Sequence, residues 1–588
     1  MKHYKAFCLL LLVICFFSCS ENTENQETTM MPDIQEDEDP PNLSKQERDA
    51  LHDDFFDLDR IHIIEVEMSE EDWDEMRYQR RTTISVFGGE NCYLPVPHAY
   101  DYFPGNVTIN GERFEGAGIR KKGLVGSFSL VRPSLKIRLD RWDDSDQSYY
   151  SGVKRLTLNN NKQDPAVIRQ CLSYWYFKKA GITVPRCNFA QVFVNGVDKG
   201  IFTNVEPIKK PFLRHNFGDD SGDLYEGTFA DFIDDPIWQV KMEKKNDEND
   251  GSHYRKLTSA LELNGKEMVQ KVSEVLNLDN FITFWAMETL AGHWDGYTGN
   301  TNNFLFYVNP EDSLIYFIPW GTDGTFTPHR WHSLGAPWRV YTNGHLASRL
   351  YQNADTRKMY YDKMNYLLEN IYNPKELNNM AEKMISLVSP HIGSHDREFF
   401  EDGIKDVLDF AEKIAEKIEI EMETMTPQPI HGYHNPPCKE EAGFIRGRVT
   451  TKMGTFPSDN PFETGRGNTS IKNDEIDIQD MYSGASAGVP PEAGKENYTM
   501  LVIAALENVL DPENSNIHII YLTFENIYVE KGKNLDLLKT ESYHLLIPAG
   551  GGEATLKGFL EMGTIEFIEA SMEKDSPLVV DFDIKLFL

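Results

Sequence analysis

HWDGYTGNTNNFLFY at 293–307 and FIPWGTDGTF at 317–326 are the two stretches on which the reading of this chain turns. In the first, Asp295 stands five residues before Asn300, with Asn302 and Asn303 close behind, directly after an apolar helical run from Phe281 to Leu290 for which Asp279 is the expected cap. In the second, a strand-like run from Leu314 to Ile318 leads into Pro319-Trp320-Gly321-Thr322-Asp323-Gly324. Working outward, Ile61 to Val66 reads as a strand, and Ser69 caps a helix opening at Glu70. Asn110-Gly111 and Asn195-Gly196 each interrupt an apolar alternation, the signal of a tight hairpin. Ser134 to Leu139 alternates as a half-exposed strand does. A helix is expected from Asp164-Pro165 through Lys179, stopped by Gly181, and two amphipathic helices through Met380–Val388 and Lys405–Met425.

An aspartate, an asparagine five residues on and a second aspartate at the end of the next strand are the parts phosphoryl transfer needs in the order protein kinases use them: a base, a metal-binding amide and a metal-binding carboxylate. The agreement is one of order and spacing; the usual kinase wording is absent.

At 588 residues the chain exceeds one ordinary core, so two or more domains are expected. Its formal net charge of −34 argues against a nucleic-acid partner or an anionic membrane surface, both of which call for cationic patches. The N-terminus reads as a targeting segment: Lys2 and Lys5 precede an apolar run from Phe7 to Phe17, too short for a span of about 20 residues. Cys19 directly after Ser18 resembles the lipidated residue of a bacterial lipoprotein, giving a signal peptide over 1–19. Residues 20–54, acid-rich and lacking apolar periodicity at their start, are expected to be a disordered tether. The opening Ser20-Glu21-Asn22-Thr23-Glu24 is similar to surface-export signals of Bacteroidetes lipoproteins. Beyond the leader, Cys92, Cys171, Cys187 and Cys438 have no zinc-knot spacing; a disulfide is open to them, with no pairing fixed by sequence.

Thr426-Pro427-Gln428-Pro429 and Pro436-Pro437 punctuate a linker placed at 429–442. From 443 to 588 the texture is short strands and turns; Val580, Phe582, Ile584 and Leu586 share one face of a terminal strand, and a small antiparallel β-sandwich is expected. Its aromatics fit a core, or a platform for a carbohydrate or protein ligand.

Several segments in order resemble the CotH kinase family: IHIIEVEMSEEDW at 61–73, GIRKKG at 118–123, PSLKIRL at 133–139, KRLTLNNNKQDPAVIRQ at 154–170, VFVNGVDKGIFTNVEPI at 192–208, and the two stretches quoted first. The resemblance implies an α+β, atypical protein-kinase-like domain over 55–428, ahead of the sandwich. It implies ATP and Mg²⁺ (or Mn²⁺) as cofactors and a protein hydroxyl as acceptor. It gives Asp295 as catalytic base, Lys136 as the lysine on the nucleotide phosphates, and Glu206 as that lysine's partner or a metal ligand. Asp323 becomes a metal-bridging carboxylate, with a neutral oxygen from Asn300 by spacing or Asn303 by resemblance. Arg120 and Lys122, between glycines, are cations placed to cover phosphates. Many family members carry an aspartate directly after Pro-Trp; here that position is Gly321, a PWG-type variant.

Three classes of function therefore stand side by side. One is an extracytoplasmic, lipid-anchored kinase at the bacterial cell envelope, on the outer membrane or exposed at the surface. The alternative is a catalytically inactive kinase-like scaffold that binds protein or carbohydrate. The third is a metal-dependent hydrolase or glycosidase using Asp295 and Asp323. Loss of phosphoryl transfer in alanine variants of the two aspartates separates them.

Overall fold

The computed structural model describes the chain except residues 1–42, 143–148, 246–248, 329–331, 333–336, 395, 425–437, 458–459, 474–475, 491–496, 550–553 and 588. The signal peptide, Cys19 and most of the tether and linker lie outside the described residues. No described helix is long and apolar enough to cross a membrane.

Seven strands close into a barrel: β1 Ile61–Glu67, β2 Phe103–Ile109, β3 Glu112–Lys122, β4 Ser134–Arg138, β5 Arg155–Asn159, β6 Cys187–Val194 and β7 Val197–Val205, in the order β1-β2-β3-β4-β5-β7-β6. Both Asn-Gly pairs form the expected hairpins. Asn110 and Gly111 adopt φ of 50° and 90°, Asn195 and Gly196 49° and 77°, the left-handed pairs that match strand twist. Closure comes from β1 lying parallel to β6, with Ile61 opposite Phe189 and Val66 opposite Val194. Ile64, Val107, Ile119, Leu135, Ile137, Leu156 and Val192 fill the interior. The alternation along β3, β4 and β5 therefore sends Arg120, Lys122, Lys136, Thr157 and Asn159 to the outer face.

The tether ends earlier than the sequence implied. Lys45–Phe55 is a helix whose Ser44 and Glu47 form a capping box, and Phe55 and His52 are buried against the barrel. The helix expected from Asp164 begins at Arg169 instead. Val167 takes a φ of 65°, which breaks any helix there, and the Asp164 carboxylate accepts the Arg169 amide at 2.8 Å.

The second body is built on helix Leu278–Leu290, in which every residue from Phe281 to Leu290 is buried. A helix apolar all round must be enclosed, and here a sheet and a ring of helices enclose it. Its cap is Asn277, whose side chain accepts the Asn280 amide at 3.0 Å, in place of Asp279. The sheet comprises β8 Leu224–Gly227, β9 Glu243–Lys244, β10 Phe304–Asn309 and β11 Leu314–Pro319, in the order β11-β10-β8-β9. Helices His345–Gln352, Ala354–Asn370, Pro374–Val388 and Arg397–Thr424 complete the layer.

From Glu441 the chain forms ten strands: β12 Glu441–Lys452, β13 Arg466–Lys472, β14 Asp477–Gly488, β15 Tyr498–Leu506, β16 Ile517–Glu525, β17 Asn534–Asp536, β18 Glu541–Ile547, β19 Thr555–Phe559, β20 Gly563–Glu569 and β21 Pro577–Phe587. They make one continuous antiparallel sheet, where separate packed sheets were expected. The sheet folds back on itself, since Phe524 on β16 meets Phe567 on β20 with ring centroids 5.5 Å apart across a shared core. Two disulfides fix what the sequence left open. Cys171–Cys187 joins helix Arg169–Lys179 to β6, and Cys92–Cys438 joins the barrel's flank to the segment just before β12 of the C-terminal sheet.

Candidate active site

The two stretches that open the reading are strapped together. His293 Nε2 donates to the Trp320 carbonyl at 3.2 Å, the Trp320 amide to the Asn303 carbonyl at 3.1 Å, and the Phe326 amide to the Ala291 carbonyl at 2.9 Å. Burial pushes the His293 imidazole down to about 4, so it is neutral and serves as a strut. Between these straps sits Asp295. Asn300 Nδ2 and Asn302 Nδ2 donate to its Oδ1 at 2.7 and 3.2 Å, and Asn303 Nδ2 donates to its Oδ2 at 2.7 Å. Three amides thus lock one carboxylate. Burial raises its pKa to about 6, against the pull of those donors and with a further push from the charge of Asp323. That range suits a group that accepts a proton near neutral pH.

Asp323 follows Gly321 and Thr322 in a short turn. Burial raises its pKa too, while Lys122 and Arg169 hold it down. Lys122, at the end of β3, is brought to about 8 by burial, opposed by Asp323 and Glu226; its amine also donates to Asn159 Oδ1. Lys122 and Arg169 are therefore the cations whose charge acts on Asp323. Lys136 lies one row away on the same face, paired across the ladder with Arg120, and its charge acts on Glu226 of β8. Glu226 keeps a pKa of about 2 against burial because Lys245, 2.5 Å away, and then Lys136 and Arg81 surround it.

Glu206 stands elsewhere. It is buried, bonded to Arg186 Nη1 at 2.8 Å and to the Arg186 amide at 3.0 Å, beside a cavity lined by His52, Lys154 and Arg155. The charge of Lys136 acts on Glu226, and nothing in Leu224-Tyr225-Glu226-Gly227 distinguishes that residue from a strand-end glutamate in sequence.

Gly321 adopts a φ of 52°, and a Cβ there would lie 2.6 Å from Asn303 Oδ1. An aspartate at this position would displace the amide that holds Asp295, so glycine here belongs to the geometry of the site.

Two further acids were missed. Glu288, on the central helix, accepts the Tyr297 amide at 3.0 Å, the Thr298 amide at 2.8 Å and the Thr298 hydroxyl at 2.6 Å, and burial raises it to about 8. It shapes the loop that presents Asp295; an acid inside an otherwise apolar helix was the available signal. Asp164 is raised to about 7 by burial, with Arg169 opposing and Asp323 adding to the rise.

A sequence model of the family described as CotH kinase protein matches residues 114–411. The chain belongs to the CotH kinase family. Among curated proteins it is 21% identical over 312 residues to "Spore coat protein homolog 1" of Rhizopus delemar, covering 49% of each chain. It is also 21% identical over 257 residues to "Inner spore coat protein H" of Bacillus subtilis, covering 41% of this chain and 70% of that one. This chain thus spans about half the length of the first of these CotH relatives. Among solved structures, one described as the Helicobacter pylori proinflammatory kinase CtkA covers 51% of this chain and 95% of its own, at 12% identity and a TM-score of 0.24, a superposition too loose to carry an argument about fold.

Proposed function

We propose that this CotH family member transfers the γ-phosphoryl group of ATP to protein hydroxyls, with Mg²⁺ or Mn²⁺, from a lipid anchor at Cys19 on the outer membrane. In this reading the barrel and the helical body act as the two lobes of an atypical kinase. The observation that carries it is a buried Asp295 locked by three asparagines and acted on by the charge of Asp323, which is in turn acted on by the charge of Lys122.

The donor set fits a hard cation. Among the described residues no cluster of three His, Cys, Asp or Glu forms a ready-made metal site. Mg²⁺, however, commonly takes one or two carboxylates and leaves its other positions to phosphates and water. Asp323 supplies one carboxylate, and the amide oxygens of Asn300, Asn302 and Asn303 are neutral donors. Asn302 Oδ1 is buried and accepts no hydrogen bond, although its own Nδ2 is used. A cation at these groups would neutralise the β- and γ-phosphate oxygens.

The protein's own groups then have distinct tasks. Lys122, Lys136 and Arg120 present positive charge to the phosphates from a rigid sheet face, which limits reorganisation on reaction. Asp295, held by three amides, orients the acceptor hydroxyl and takes its proton on a carboxylate oxygen; positioning is the larger contribution. The two disulfides support an oxidising compartment outside the cytoplasm.

The test is transfer of label from γ-labelled ATP to protein acceptors. Wild type should transfer, and Asp295→Ala and Asp323→Ala should each lose it. Labelling that survives in both variants, or never occurs in wild type while the protein binds a partner or a glycan, would replace the kinase with the scaffold reading.

A further inference from the structure

Between Lys122 and Ser134 the chain crosses from β3 to β4 through Gly123–Pro133, the connection that joins the two strands bearing Lys122 and Lys136. This loop is held from two sides. From within the barrel domain, Asn160 Nδ2 donates to the Ser127 and Arg132 carbonyls at 3.0 and 2.8 Å, and Lys162 Nζ to the Phe128 carbonyl at 2.6 Å. From the C-terminal sandwich comes Glu541, at the start of β18. Its Oε1 accepts from Ser129 Oγ at 3.0 Å and from the Leu130 amide at 2.8 Å, and its Oε2 lies 3.1 Å from Lys162 Nζ. The carboxylate is 8% exposed. Beside it, Tyr498 of β15 packs with Phe128, Leu130 and Val131 in a small apolar cluster of its own.

The same interface is tied at two more points. Arg80 pairs with Glu561 at 2.9 Å with both side chains buried, and Arg77 donates to Glu525 at 2.7 Å and to the Tyr498 hydroxyl at 2.9 Å. Lys121, the residue before Lys122, is buried with its amine on the Arg77 carbonyl at 2.6 Å and over the Phe128 ring, and Glu541 is an acid that favours its charge. Glu541 is thus a buried acid of the C-terminal sheet set on the connection between the strands that carry Lys122 and Lys136.

We propose that Glu541 is a positioning residue for nucleotide, and that the sandwich braces the Gly123–Pro133 connection so that Lys122 and Lys136 are pre-set for the phosphates. This rests on the kinase reading of the site. Releasing the brace frees the loop and weakens ground-state binding of ATP, while the chemical step, set by Asp295 and Asp323, is unaltered.

The experiment uses the full chain as wild type, Glu541→Ala, Glu541→Gln, and Ser129→Ala, which removes one bond from the other side should Glu541→Ala fold poorly. Two quantities are read: amide exchange over 124–133 without nucleotide, and KM for ATP against kcat. Glu541→Ala should speed exchange at Leu130 and its neighbours and raise KM about tenfold with kcat within about twofold, as expected for loss of buried charge-assisted hydrogen bonds. Glu541→Gln, which keeps an acceptor for Ser129 and Leu130, should recover most of the affinity, and Ser129→Ala should fall between. Unchanged exchange in Glu541→Ala and Ser129→Ala, or faster exchange with unchanged KM, overturns the proposal and leaves the kinase reading standing. A wild type that binds no Mg²⁺–ATP removes the kinase reading and this inference with it.

Discussion

Gly321→Ala puts the smallest possible load on the site. The backbone there is left-handed at φ 52°, where a β-carbon costs about 1 kcal/mol. The new methyl would meet Asn303 Oδ1 at 2.6 Å, too close for any real contact. Asn303 must therefore swing, giving up its 2.7 Å bond to Asp295 Oδ2 and its 3.1 Å bond to the Asp295 carbonyl. Loss of a hydrogen bond to a charged group costs about 1.5 kcal/mol or more. Together these give a destabilisation of about 2–3 kcal/mol, or a fall of about 3 °C in melting temperature by the usual size scaling. A second readout is independent of stability. Asn303 is one of the donors holding the Asp295 pKa down against burial, so its loss moves the acid limb of kcat/KM above the wild-type position near pH 6. Calorimetry and a pH–rate profile are sufficient assays. If the variant melts within about 1 °C of wild type and its acid limb does not move, then Gly321 and Asn303 do not constrain Asp295.

Two further outcomes follow from the buried acids. Glu288 at about 8 and Asp164 at about 7 are raised above their ordinary values, so between about pH 4 and 8 these two groups hold more protons in the folded chain than in the unfolded one. Their contribution to stability is therefore fullest at the acid end of that window and falls as pH rises through it; Glu288→Gln should make melting temperature fall less, or rise more, with pH than in wild type, and an unchanged pH dependence in the variant would contradict the assignment. Asp323→Asn removes a buried carboxylate that raises the pKa of Asp295, so the metal-free variant should melt slightly higher than wild type while losing transfer, the trade expected of a site built for function. A lower melting temperature would mean that the attraction of Lys122 and Arg169 outweighs burial.

What the sequence made legible was what depends on near neighbours. Asn110-Gly111 and Asn195-Gly196 specified their hairpins because only left-handed residues close such turns, and the order of Asp295, the asparagines and Asp323 was visible because one loop and one strand end carry them. Closure of the barrel was not, since it depends on β1 meeting β6 more than a hundred residues away. The surroundings of Glu206 were hidden for the same reason. Glu206 follows β7 in sequence, but β7 is separated from β4 by β5, and Glu206 turns to Arg186; Glu226 approaches from the other body. The helix at Arg169 started late because a buried side-chain cap from Asp164 and a left-handed Val167 outweighed the Pro-first pattern. The contact of the C-terminal sheet with the barrel was illegible because Glu541 is an ordinary strand residue until the fold sets it against Leu130.

The central claim is that a divalent cation and ATP meet between Asp323 and the Lys122 face of the barrel. Titration calorimetry of ATP into the full chain, with and without Mg²⁺, in wild type, Asp323→Asn and Lys122→Met tests it most directly. The account predicts saturable binding in wild type only when Mg²⁺ is present, and loss of that binding in both variants. Binding of equal strength without metal, or binding indifferent to both substitutions, would contradict it.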